Sequence, residues 1–100
     1  MGRYQPRGGR VDANQSQIVR ELRSLGYKVD LLSQLKRLYD LVVTGRVFGT
    51  DEVKTVRVEV KQKGEKLSPA EELYHKADPY PQTLIIAYCT EDILKWFEEE

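Results

Sequence analysis

The sequence predicts an α/β domain with the element order αβββαβα, a mixed four-stranded sheet flanked by helices. Three observations carry that expectation. Apolar residues near the start follow helical spacing and stop at a glycine; four short apolar runs have the length and flanking residues of strands; and a Ser-Pro-x-Glu helix start lies between the third and fourth of them. A strand, a helix and a further strand in that order make a crossover unit, whereas strands joined by a short loop pair antiparallel.

The elements follow in order. "MGRYQPRGGR" carries three arginines, three glycines and a proline without an apolar period, so residues 1–11 are expected to form a flexible basic arm and 12–100 a single domain. Ile18, Val19, Leu22 and Leu25 define a first helix over about 15–25, with Asn14 and Gln17 as its capping pair and Gly26 as its stop. "YKVDLL" reads as a strand over 27–32 and "YDLVVTG" as a second over 39–43, separated by the polar, basic "SQLKRL". "TVRVEVK" supplies the third, over 54–61, after a loop carrying Gly45, Gly49, Thr50 and Asp51. Ser68, Pro69 and Glu71 have the spacing of N-cap, first helical residue and capping-box partner for a second helix reaching Ala77. "TLIIAY" is the fourth strand, and Thr90 is expected to cap a last helix, "EDILKWF".

Composition restricts the function. With 100 residues and 40% apolar content there is material for one core. Sixteen basic and sixteen acidic residues leave no net charge, so any polyanion must be held by local patches. The longest apolar run, Leu84 to Cys89, is far too short to span a bilayer, and no charged-then-apolar leader opens the chain; a cytoplasmic protein with no membrane partner is expected. Cys89 is the only cysteine and is expected to be a buried thiol, and the single His75 a surface or boundary residue.

The informative stretch is "RVEVKQKG", Arg57 to Gly64, which alternates apolar and charged residues. Side chains alternate faces along a strand, so Glu59 and Lys61 point one way while Val58 and Val60 point into the core. If the second and third strands pair around a turn near Thr50, Asp40 comes to lie beside Glu59 and Lys61. Charge alternation of this kind is also the ordinary pattern of a solvated strand face. Two carboxylates and a lysine at one sheet end nevertheless suit a hard divalent cation such as Mg2+, which takes one or two carboxylates, waters and phosphate oxygens. The lysine would hold a phosphate or position an attacking water, and the reaction class would be phosphodiester hydrolysis.

"YDLVV…VRVEVKQKGEKLSPAEELYH" resembles the PD-(D/E)XK nuclease signature, in particular the compact VRR-NUC and Holliday-junction-resolvase-like nucleases of phages and bacteria. The likeness runs from Asp12 to Phe97 and implies a restriction-endonuclease-like core. It implies Asp40 and Glu59 as metal-binding carboxylates, the Val60 carbonyl as a further ligand, Lys61 as the catalytic lysine, and Mg2+, with Mn2+ as substitute, as the cofactor. Tyr39 stands where such proteins often have proline. They also commonly place a glutamate on the first helix facing the metal; here the choice is Gln15 or Gln17, and Gln15 shares the inward face of Ile18 and Val19. Glu71 is either a capping-box residue or active-site support. Lys36, Arg37, Lys63 and Lys66 either touch phosphates or are merely exposed, and Arg3, Arg7 and Arg10 of the arm would add salt-sensitive phosphate contacts.

The function expected is a metal-dependent DNA endonuclease, structure-selective for branched DNA such as Holliday junctions. Cutting two strands needs two sites, so a homodimer is expected, with Tyr74, Tyr80, Trp96 and Phe97 as candidate interface residues. The alternative is a catalytically weak nuclease-like module that binds nucleic acid or a protein partner.

Overall fold

The structure, a computed structural model, describes residues 9–32 and 39–98. Helix α1 spans Gly9–Ser24 and is followed by strands β1 (Lys28–Leu31), β2 (Leu41–Arg46) and β3 (Val53–Val60). Helix α2 (Pro69–Ala77), a 3₁₀ turn at Pro81–Thr83, strand β4 (Leu84–Ala87) and helix α3 (Thr90–Glu98) complete the αβββαβα order. The sheet order is β1-β2-β3-β4, with β1, β2 and β3 antiparallel neighbours and β4 parallel to β3. This is the mixed four-stranded sheet that the sequence predicts.

Among the described residues, no helix is long and apolar enough to cross a membrane.

The β2–β3 register pairs Arg46 with Val53 beside the turn and Leu41 with Val58 at the far end. Leu41, Val43, Val56, Val58 and Val60 therefore share one face, where they bury against Ile18 and Leu22 of α1 and Ile93 and Phe97 of α3. β2 runs to Arg46, three residues beyond the expected end, because Gly45 lets the chain continue. A Cβ there would meet the Tyr27 ring at 2.4 Å, and that ring in turn packs 4.9 Å from Phe97.

Helix α1 ends as expected. Gly26 takes φ 96°, and the amides of Gly26 and Tyr27 return to the carbonyls of Arg23 and Leu22 at 3.0 and 3.1 Å, the Schellman pattern that a glycine at this position allows. Its start differs. Residues 9–11, expected in the flexible arm, are helical. Asn14 is consequently an interior residue and not a cap, and Gln17 donates to Glu21 at 3.0 Å instead of closing a capping box.

Two expectations about the C-terminal third are corrected. Thr90 is the first residue of α3, and its buried hydroxyl donates to the Glu21 carboxylate of α1, tethering the two helices. Cys89 is exposed, since β4 already ends at Ala87 and the chain turns outward before α3.

Candidate active site

The second face of β3 carries Arg57, Glu59 and Lys61. Extending the β2–β3 register by one residue puts Asp40 opposite Glu59: the Asp40 amide donates to the Val58 carbonyl at 3.0 Å, and the Val60 amide donates to Asp40 Oδ2 at 2.8 Å. Residues 19 positions apart in sequence thus become neighbours through strand pairing alone. Both Glu59 (5% exposed) and Lys61 (8%) are buried, so this end of β3 is covered on both faces and is no solvated charge ladder.

The cover on this side is α2. Its capping box forms as the sequence predicts, with the Glu71 amide donating to Ser68 Oγ at 3.2 Å and Glu71 Oε1 accepting from the Ser68 amide at 2.8 Å. The same Oε1 lies 2.7 Å from Lys61 Nζ. Glu71 is therefore cap and site residue together. Lys61 lies 3.9 Å from both Glu59 and Glu65, so Glu71 is its principal counter-ion.

Glu71, His75 and Asp78 follow one another at i, i+4 and i+7, a single stripe along α2. Each meets the sheet side. The His75 ring stands edge-on to Tyr39 at 6.1 Å, and its Nε2 is buried without a hydrogen-bond partner among the described residues. Asp78 pairs with the Arg57 guanidinium and accepts from the Tyr39 hydroxyl at 2.7 Å. Arg57 also donates to the Tyr80 carbonyl and Thr83 hydroxyl, both at 2.9 Å. No residue of α2 is buried, so ion pairs and hydrogen bonds dock this helix where apolar packing docks the others.

Proximity sets the charge state. Burial, reinforced by the Asp40 and Glu71 carboxylates, pushes Glu59 up to about 8. Burial also raises Asp40, an effect that the Val60 amide and Lys61 oppose. Lys61 would be lowered by burial, but Glu71, Glu59 and Glu65 outweigh that and raise it. Burial works against ionised Glu71 too, yet Lys61 and the Ser68 amide hold it below the ordinary value. Asp78 is held well below the usual carboxylate range by Arg57 and Tyr39. Near neutral pH the site thus keeps a proton on Glu59, at a point where the surrounding carboxylates would otherwise crowd their charge.

Asp40 and Glu59 are two carboxylates of the kind that a hard divalent cation takes. Among the described residues no group of three or more His, Cys, Asp or Glu side chains is arranged to hold a metal, so a cation here would rest on the Asp40 and Glu59 pair, the sparse protein donor set that magnesium tolerates while keeping waters.

Asp40, Glu59 and Lys61 therefore lie together, joined by the Val60 amide and by Glu71. Gln15 does not join them: it lines a surface recess on the β1 side of α1. Asn14 instead reaches this end of the sheet: its Nδ2 donates to the Lys61 carbonyl at 3.1 Å. Asn14 lies four and eight residues before the buried Ile18 and Leu22, a spacing that could have singled it out had the helix not been expected to begin after it. Arg57, Tyr39 and Asp78 were also not anticipated; the alternation that placed Glu59 and Lys61 puts Arg57 on the same face.

Lys63 and Lys66 are exposed on the loop leading to α2. Arg10 falls in the first turn of α1, while Arg3, Arg7, Lys36 and Arg37 lie outside the described residues. Of the candidate interface residues, Phe97 is fully buried in the core and is unavailable for dimerisation, because α3 turns it under Tyr27. Trp96 is half-buried with its Nε1–H donated to the Gln82 carbonyl at 3.0 Å; Tyr74 is half-buried and Tyr80 exposed.

Comparison with protein-family models, with curated proteins and with solved structures finds no match for this chain.

Proposed function

We propose that this protein is a metal-dependent DNA endonuclease of the PD-(D/E)XK type, acting in the cytoplasm. The observation that carries the reading is the juxtaposition of Asp40 and Glu59 on paired strands, with Lys61 on the same face and anchored by Glu71. Asp40 and Glu59, with the Val60 carbonyl, would hold Mg2+ or its substitute Mn2+. Such an ion would supply charge neutralisation at the scissile phosphodiester and its leaving oxygen.

The protein's own groups do the rest. Asp40 is fixed by the Val60 amide, so its carboxylate is oriented before any ligand arrives. Lys61, held 2.7 Å from Glu71, presents an ammonium that can pair with a phosphate oxygen or orient the attacking water. Water attacks phosphorus as the bond to the leaving oxygen breaks; the hydroxyl of that water stays on phosphorus and its other proton ends on the leaving oxygen. Glu59 would have to be deprotonated to hold such a cation, so activity should rise with pH toward about 8. Branched DNA is the proposed substrate and a homodimer the proposed assembly, with Tyr74 and Tyr80 as the remaining aromatic contacts.

The runner-up reading, a weak nuclease-like module that binds nucleic acid or a protein, draws on Asn14, an amide where a further carboxylate would strengthen a metal site, and on Glu71, which largely neutralises Lys61. Labelled linear, flap and four-way-junction DNA, incubated with and without magnesium or manganese, separates the two. Metal-dependent cleavage that prefers junctions and is abolished by Asp40→Asn, Glu59→Gln and Lys61→Ala is the expected result; binding without cleavage under every condition would leave the runner-up.

A further inference from the structure

On the outward side of α1, Gln15, Ser16, Val19, Arg20 and Arg23 form a recess closed by Leu31 of β1, with a volume of about 370 Å³. Three features make this recess more than a solvated helix face. The first is its chemistry. Ser16, Arg20 and Arg23 lie at i, i+4 and i+7 and form a polar, cationic stripe, whereas Val19 and the 51% exposed Leu31 give it an apolar wall.

The second is preorganisation. Arg23 donates from Nη2 to the Val29 carbonyl at 2.8 Å, which fixes the guanidinium against edge strand β1 and leaves its remaining N–H groups for another acceptor. The third is position. Leu31 pairs with Leu41, the residue after Asp40, and the Leu32 amide donates to the Asp40 carbonyl at 2.8 Å. Gln15 directly follows Asn14, which touches the Lys61 carbonyl. The recess therefore lies near the Asp40 end of the β1–β2 pair, on the α1 face of the sheet and across it from α2.

We infer that this recess is a nucleotide-binding subsite for a DNA strand running away from the scissile phosphate, with Arg20 and Arg23 on backbone phosphates and the Leu31–Val19 wall against a sugar or base. The inference rests on the nuclease reading and extends it from the reacting centre to the flanking strand. It also answers a problem of charge: a chain with no net charge must gather its cations locally to hold a polyanion, and Arg20 and Arg23 are two cations gathered at one recess.

The test is fluorescence anisotropy of a labelled oligonucleotide with the full chain in EDTA, so that binding is read without turnover, over a range of salt concentrations. Arg20→Ala and Arg23→Ala should each weaken binding by roughly three- to tenfold, and the double variant should flatten the log–log salt dependence by about 1.5 to 2. Arg46→Ala, at the opposite end of β2, is the control and should leave both unchanged. Unchanged affinity and slope in the double variant, its circular dichroism matching the parent's, would overturn the inference, as would an equal loss from Arg46→Ala. The cleavage assay is read separately. Parent protein that cuts DNA while the double variant binds and cuts normally removes the subsite and keeps the nuclease; parent protein that never cuts, with arginine-dependent binding intact, does the reverse.

Discussion

Along β3 the even-numbered Val56, Val58 and Val60 meet α1 and α3, while the odd-numbered Arg57, Glu59 and Lys61 meet α2. Both sets are largely withdrawn from water, but by different physics. The first face is close-packed hydrocarbon with Phe97 at its centre, and its stability depends on shape and volume. The second is a run of charge pairs, Arg57 with Asp78 and Lys61 with Glu71, around a protonated Glu59. Buried charges pair only as well as their desolvation permits, so this face adds little net stability and much sensitivity to pH and to cations. The apolar face keeps the strands in register, and that register holds the Asp40 carboxylate beside Glu59.

The contrast can be broken most severely from the apolar side. Phe97→Ala leaves a cavity beneath Tyr27 and Trp96 and should lower unfolding stability by about 3–5 kcal/mol, measured by urea denaturation, with no dependence on magnesium.

A smaller effect, of opposite character, comes from pH on the polar face. Folded Glu59 holds its proton up to about 8, against an ordinary value of 4.5. That contribution is fully present below 4.5 and is lost as pH rises through about 8, so metal-free protein should melt at progressively lower temperature across that window. Saturating magnesium should flatten the slope, and Glu59→Gln should remove it. A pH-independent melting temperature between these limits would refute the assigned charge state.

Smaller again is Asn14→Asp. It replaces the amide that donates to the Lys61 carbonyl by a carboxylate that cannot, and should cost about 1–3 kcal/mol without metal. Added magnesium should recover part of that loss, and calorimetry should then find tighter metal binding than in the parent. Gln15→Glu, out on the recess, should change neither.

The most local effect belongs to Asp78→Asn. Losing the Arg57 pair should speed hydrogen exchange of the α2 amides while those of β2 and β3 keep their protection, because α2 has no buried apolar residue to hold it. The parent should show the same selective loosening in acid. Asp78 titrates below its ordinary value of 3.8, so its contribution is present above that value and fades as pH falls beneath it.

What the sequence determined by itself was everything that repeats locally or follows from pairing. Alternation along "RVEVK" assigns Glu59 and Lys61 one face, a hairpin turn near Thr50 brings Asp40 beside them, Ser68 to Glu71 specifies the start of α2, and Gly26 specifies the end of α1. These are short-range rules, and a strand or cap obeys them wherever it lies. Only the tertiary structure decided which residues meet across elements. α1 begins before the apolar period becomes visible, and its docking brings Asn14, not Gln15, to the Lys61 carbonyl. Glu71 satisfies its own cap and still reaches Lys61, while Arg57 finds Asp78 21 residues away. Such contacts depend on how a helix is positioned against a sheet, and packing of the whole core sets that position; no local run of residues encodes it.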